Sequence, residues 1–153
     1  MIKVYVPVVP VAQPRQRTRV MQLGGRAIAR NYTPTNSPAN ATKATIKLAV
    51  AQVFVGPVLT GPVSLQVVAV FPRPASRVWK KRAMPREWKP SKPDGDNVAK
   101  LVLDAMNELV WRDDSQVVSL EVLKMIAAGD EQPHLEITIT EVNDASIPAQ
   151  KHF

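Results

Sequence analysis

Residues 92–117 read KPDGDNVAKLVLDAMNELVWRDDSQV. Val98, Leu101, Val102, Ala105 and Leu109 fall at i, i+3, i+4, i+7 and i+11, one apolar face of a helix expected near 97–110. Asp96, Lys100 and Asp104 repeat every four residues and share another face as potential ion-pair partners. Asp94 or Asp96 can cap the helix N-terminus. After Trp111-Arg112-Asp113-Asp114, the β-branched run from Val117 to Ile126 reads as a strand. Asp130-Glu131-Gln132-Pro133 is a turn signal. His134–Val142 alternates Leu135, Ile137 and Ile139 with Glu136, Thr138 and Thr140, so one side of that strand faces a core.

Upstream, Val63 to Phe71 is a strong strand, broken at Pro72, and Ile2 to Val9 a weaker one that Pro7 and Pro10 push toward a sheet edge. Gly24-Gly25 predicts a hairpin turn between Arg19–Leu23 and Arg26–Ala29. A helix is expected near 39–54, capped from Thr33–Pro38, with Ala44, Ile46, Leu48, Val50 and Val53 inward and Lys43 and Lys47 on the wetter side. Strand, hairpin, helix, strand, helix, strand, strand implies an α+β single domain, a mixed β-sheet with two main helices packed on it. That domain is expected over 1–142, with 143–153 a frayed tail. A chain of 153 residues buries roughly 68–70% of its unfolded surface, enough for a core without staples.

Charge is segregated along the chain. Residues 1–86 hold 14 Lys/Arg and no Asp or Glu, whereas 87–153 hold 6 Lys/Arg and all 13 acids. Excluding carboxylates from so long a stretch fits a polyanionic partner better than a merely solubilising surface, which mixes both signs. Nucleic acid is favoured over a membrane surface, since no basic amphipathic helix stands out. Arg15, Arg17 and Arg19 occupy every second position and share one side of an extended segment. Between Pro72 and Pro93 a loop of about 20 residues, long enough to imply function or disorder, carries Arg73, Arg77, Lys80, Lys81, Arg82 and Lys92 with Trp79 and Trp88 interleaved. Such a loop suits a flexible clamp on phosphates. The chain has no cysteine, which excludes disulfides, thiol nucleophiles and Cys-based zinc sites. No signal peptide and no membrane span is readable, so a cytoplasmic protein is expected.

The chemistry concentrates in Asp94-Gly95-Asp96-Asn97 and Asp113-Asp114. Converging carboxylates suit Mg²⁺, a hard cation that takes oxygen ligands and keeps several waters. A straight helix over 97–110 would hold its ends about 20 Å apart. Asp114 therefore meets Asp94 and Asp96 only if the helix ends early and a loop returns, or if the site is completed across a dimer. The residues leave this open. An EF-hand is excluded, because Val98, Ala99 and Ala105 stand where that loop needs a ligand, glycine and glutamate.

The same stretch resembles the signature of the RusA family of crossover junction endodeoxyribonucleases. The resemblance runs through Lys92, Pro93, Asp94, Asp96, Asn97, Lys100, Asp104, Ala105, Met106, Trp111, Asp113, Asp114, Gln116 and Val117. Pro14-Arg15-Gln16-Arg17, Tyr32-Thr33-Pro34 and Lys124 are also similar to family positions. The resemblance implies a two-fold homodimer that nicks opposing strands of four-way (Holliday) junctions with Mg²⁺ or Mn²⁺, in recombination and repair. It assigns the catalytic metal ligands to Asp94, Asp96 and Asp114, with Asp113 as rival, and the site lysine to Lys100. Arg15, Arg17, Arg19, Arg73, Arg77, Lys80, Lys81, Arg82 and Lys92 are the expected phosphate contacts. It also implies work in a bacterial or phage-infected cytoplasm. Two other readings stand beside it: a branched-DNA-binding protein without cleavage, and a nucleotide-sugar transferase using Asp94-x-Asp96. The transferase has no use for 86 acid-free residues.

Overall fold

The computed structural model describes residues 1–14, 17–32, 37–79, 81–143 and 145. Arg15 and Lys80 lie outside them, as do the side chains of Arg17 and Arg19 and all of the expected tail except Asn143 and Ala145. Seven strands and two α-helices are described: β1 (Ile2–Val6), β2 (Arg17–Leu23), β3 (Arg26–Tyr32), α1 (Pro38–Val53), β4 (Val63–Phe71), β5 (Glu87–Trp88), α2 (Gly95–Met106), β6 (Val117–Ile126) and β7 (His134–Glu141). β2 and β3 form a separate hairpin, and the other five strands make one mixed sheet in the order β1-β7-β4-β6-β5. Gly24 and Gly25 turn the hairpin at φ +58° and +79°, where a side chain would be strained. The α+β class, the mixed sheet and the two helices agree with the sequence.

Register explains the core. Val4, Ile137, Val67 and Val122 lie side by side across β1, β7, β4 and β6. The neighbouring rows add Val6, Leu135, Ala69 and Leu65 to one apolar sheet face, fully or nearly fully buried. Against that face packs the apolar stripe of α2, with Val98, Leu101, Val102, Ala105 and Met106 all inaccessible. The 16-residue α1 contributes Ala39, Thr42, Ile46 and Val50. Its cap is Ser37, whose hydroxyl accepts from the Ala39 N–H at 3.3 Å. Three of the side chains expected inward, Ala44, Leu48 and Val53, are exposed instead. They sit off the narrow stripe that touches the sheet and α2. Lys43 reaches across to Asp104 at 2.9 Å, so α1 takes the carboxylate that the four-residue spacing offers to Lys100.

Parallel strands need a crossover, and α2 provides it between β4 and β6. The helix begins two residues before its expected start and ends four before its expected end. Asn107 leaves helical geometry at ψ 136°, Glu108 takes φ +62°, and its N–H bonds the Trp111 carbonyl at 2.8 Å. Trp111 is thereby pulled fully into the core. No helix among the described residues is long and apolar enough to cross a membrane.

The stretch after β4 departs from expectation. It is not a structureless clamp but an arm fastened down by ion pairs. Arg73 bonds Glu87 at 2.6 Å and the Ala127 carbonyl at 2.8 Å, and Arg77 also reaches Glu87. Arg86 bridges Glu131 and Glu136, and the Met84 carbonyl accepts from the Gly129 N–H at 2.9 Å. The acids absent from the first 86 residues thus come from later in the chain to hold this arm.

Candidate metal and DNA site

Asp94 stands at the N-cap position of α2 with extended backbone, φ −71° and ψ 144°, yet its side chain makes no cap hydrogen bond. Asp96 follows in the first turn. Both carboxylates are exposed and make no hydrogen bond or ion pair within the described residues. The capping role open to either is therefore not taken up. The helix N-terminus still favours their negative charge through its aligned peptide dipoles. Lys100, one turn beyond Asp96, is exposed on the same side of α2. A cleft of about 510 Å³ opens here, lined by Ala12, Lys92, Pro93, Asp94 and Asn97.

The loop bearing Asp94 is tethered by Lys124. Its ammonium donates to the Ser91 carbonyl at 2.9 Å and the Pro93 carbonyl at 2.7 Å. Register places Lys124 beside Ala69 on the helix-covered face of the sheet, so the lysine rises from the sheet to hold the loop. Below it, a Cβ added to Gly95 would lie 3.8 Å from Val122, so α2 starts directly against the middle of β6. The sequence pointed to Lys124 only by family position. Its signal was a cation on the inward side of an apolar strand.

Asp113 and Asp114 have different duties. Asp113 caps the short 3₁₀ turn Asp114–Gln116, accepting from the Ser115 N–H at 2.8 Å while Gln116 accepts from the Asp113 N–H at 3.1 Å. Hydrogen bonds from Ser115 hold its carboxyl below the ordinary aspartate value. Asp114 accepts instead from the buried Trp111 indole N–H at 2.9 Å, through Oδ1. That bond orients the carboxylate and leaves Oδ2 without a partner among the described residues. Composition and periodicity carry no sign of this indole bond, because it depends on Trp111 being pulled inward by the turn at Glu108.

The two acidic groups lie at opposite ends of α2. β6 runs back along the helix, with Val122 beside Gly95 and Val117 near the far end, where Gln116 bonds the Leu59 and Gly61 carbonyls at 3.0 and 2.9 Å. Val117 and Val122 are five residue steps apart along the strand, roughly 17 Å at about 3.3 Å per residue. Asp114 is farther still. Among the described residues, no three Asp, Glu or His side chains gather closely enough to hold one metal ion. The early end of α2 does not return Asp114 to Asp94 within one chain.

The phosphate-contact set is also revised by the fold. Arg73, expected on a phosphate, has a side chain only 3% exposed and bound to Glu87, so here it braces the arm. Arg77 is half-exposed beside the same glutamate, while Lys81, Arg82 and Lys92 are exposed.

The Endodeoxyribonuclease RusA family model matches residues 7–140. This chain belongs to the RusA family. The family match takes in β6 and all but the last residue of β7, as well as the cleft at Asp94. Among curated proteins, the chain is similar to protein YqaN of Bacillus subtilis (strain 168), 42% identical over 91 residues, which is 56% of this chain and 62% of that protein. It is also similar to the crossover junction endodeoxyribonuclease rusA of Lactococcus phage r1t, 47% identical over 57 residues, 37% of this chain and 41% of that protein. The chain thus spans less than two thirds of either relative. Both carboxylate pairs of this RusA-family chain, and Lys124, lie inside the family match.

Proposed function

We propose that this chain is a structure-selective endonuclease that resolves four-way DNA junctions by metal-dependent phosphodiester hydrolysis, serving DNA recombination and repair in a bacterial or phage-infected cytoplasm. Membership of the RusA family supports the reaction class, and the phage relative bears the name of a crossover junction endodeoxyribonuclease. The observation that carries the reading is the pair Asp94 and Asp96, two exposed carboxylates held at a helix start with no partner among the described residues. Their hard oxygens fit Mg²⁺ or Mn²⁺ and leave positions open for water and a phosphate oxygen. Bound there, the ion would polarise the scissile phosphate and supply an activated water. Water adds to phosphorus in line with the departing 3′ oxygen, the P–O3′ bond breaks, and a 5′ phosphate and 3′ hydroxyl remain. Lys100, on the same face as Asp96, offsets the charge that grows on the phosphate. Lys92 beside the cleft, and Lys81 and Arg82 farther out, attract the backbone without reading sequence.

The third carboxylate comes from a second copy in this reading. β5 covers the outer edge of β6 only at Met125 and Ile126, with the Lys89 N–H adding a bond to the Lys124 carbonyl. Residues 117–123 therefore have no strand on that side among the described residues. This bare edge carries two exposed apolar side chains, Val118 at 63% and Leu120 at 47%. A two-fold axis near Val118 would lay the partner's β6 antiparallel alongside, which carries the partner's turn Asp114–Gln116 toward Val122. Val122 is the residue against which Gly95 sits, so the partner's Asp114 arrives beside Asp94 and Asp96. One edge contact thus completes two sites, each facing one of two symmetry-related strands of a junction.

Purified protein incubated with labelled four-way, Y-shaped and linear DNA, with and without Mg²⁺, tests the activity. Paired symmetric cuts confined to the four-way substrate, lost in Asp96→Asn while junction binding persists, are the expected result. Unchanged cutting by Asp96→Asn refutes the site.

A further inference from the structure

The ion pairs that fasten the arm engage Arg73, Arg77 and Arg86 and leave its tip free. At the tip, Trp79 remains 41% exposed and Val78 is exposed beside it. The Arg82 guanidinium carbon stands 5.6 Å from the centroid of the Trp79 ring. The turn behind them is fixed: the Trp79 N–H donates to Met84 Sδ at 3.3 Å, and the Met84 carbonyl accepts from Gly129 at 2.9 Å. Gly129 packs so closely on Met84 that an added Cβ would come within 2.7 Å of its terminal methyl. An aromatic ring is thus held half in water on a braced support, with Arg82 over it and the exposed Lys81 next in the chain to Arg82. No acid occurs anywhere from Pro72 to Arg86.

Three occupants are conceivable for such a tip, and charge decides among them. A protein partner would have to be strongly acidic, and a membrane surface would call for more apolar area than Val78 and Trp79 provide. A nucleic acid satisfies both parts, since phosphates meet the cations and a base offers a π-face to the ring. Linear duplex keeps its bases stacked and has no free face to give. A branch point does, because stacking is interrupted where strands exchange. We infer that Val78, Trp79, Lys81, Arg82 and Ala83 form a preformed prong that stacks Trp79 on an unstacked base at the DNA branch point, with Lys81 and Arg82 on the flanking phosphates. This rests on the proposed action on branched DNA and adds to it a source of preference for branched over linear substrate. The prong is preorganised, so little ordering cost falls on the binding step.

The test uses the full chain in EDTA, so that binding is read without cutting, with synthetic four-way and linear duplex DNA carrying 2-aminopurine at the branch-point position. Wild type is expected to prefer the four-way DNA and to change the 2-aminopurine emission. Trp79→Ala should lose roughly ten-fold in affinity for the four-way DNA, in the range of one base–aromatic stack. It should keep its affinity for the duplex and abolish the emission change. Trp79→Phe, which retains a ring, should recover most of the loss. Equal thermal unfolding of the three proteins establishes that the exposed tip, not the fold, was altered. A Trp79→Ala protein that binds four-way DNA as wild type does, or loses equally on both substrates, overturns the prong alone. Wild type that binds four-way and linear DNA alike overturns the junction reading and the prong with it.

Discussion

Two inactive variants should restore activity when mixed. Asp96→Asn removes a carboxylate at the start of α2, and Asp114→Asn removes the one anchored by Trp111. Within one chain these positions sit at opposite ends of a 12-residue helix, which is about 18 Å long at 1.5 Å per residue. Side chains cannot close that gap, so in the proposed dimer each site would draw Asp94 and Asp96 from one protomer and Asp114 from its partner. In a mixed dimer both substitutions fall in the same site, and the second site keeps all three aspartates. After free exchange of equal amounts, about half of the dimers are mixed and each holds one intact site, so roughly a quarter of wild-type sites return. The assay is cutting of end-labelled four-way DNA with Mg²⁺ by each variant alone and by the unfolded, combined and refolded pair. The single variants should be inert. The mixture should nick one strand per junction and leave few resolved duplexes, because resolution requires two cuts. A mixture as inert as its components would refute the shared site and return all three aspartates to one chain.

Three further outcomes follow from the geometry. Val118→Arg places like charges across the proposed two-fold axis, so the variant should sediment as a monomer and lose Mg²⁺-dependent cutting with its circular dichroism unchanged. A variant that remains dimeric and active removes β6 from the interface. Lys124→Met deletes the two bonds to the Ser91 and Pro93 carbonyls and loosens the loop that presents Asp94. Half-maximal cutting should then need several-fold more Mg²⁺ while DNA affinity barely moves, and an unaltered Mg²⁺ titration would show that the tether does not position the ligand. The last concerns acid. A hydrogen bond from Arg73, aided by Arg77, holds the Glu87 carboxyl below its ordinary value of 4.5, and one from Arg86 does the same for Glu131. Lowered carboxyl values mean that these pairs stabilise the arm above about pH 4.5 and cease to do so as pH falls through the lowered values. Near-ultraviolet circular dichroism from tryptophan should therefore fade in that acid range before the far-ultraviolet signal of the sheet. Coincident loss of both would mean that the arm has no separate acid transition.

Glu136 shows why these carboxylates belong to the arm's support. Burial opposes its ionisation, but hydrogen bonds from His134 and Arg86 outweigh that and leave it lowered overall. Arg86 in turn is held above its ordinary value, first by its bond to Glu131, against the cost of burial. Little of this was legible in the loop itself, where Glu87 is the single acid among the cations. The partners of Arg86 lie 45 and 50 residues away. A run of cations reads as a solvated clamp until the fold brings acids to meet it.

The strands and helices, by contrast, were determined locally. Apolar periodicity marks β4, β6, β7 and α2, because a two-residue or 3.6-residue repeat is imposed by the backbone and needs no distant partner. The paired aspartates at a helix start, the acid-free first 86 residues and the family signature around 92–117 were likewise legible from residue order alone. Tertiary structure alone decided what those groups can do. It released Asp94 from capping, assigned Asp113 to a turn and Asp114 to an indole, and withdrew Arg73 from the surface. It also put Asp114 at the wrong end of α2 for its own chain and left the β6 edge bare. The physical reason is the same in each case. A carboxylate or guanidinium is defined by its partner, and these partners are chosen by sheet register and helix packing, which bring together residues that the sequence holds far apart.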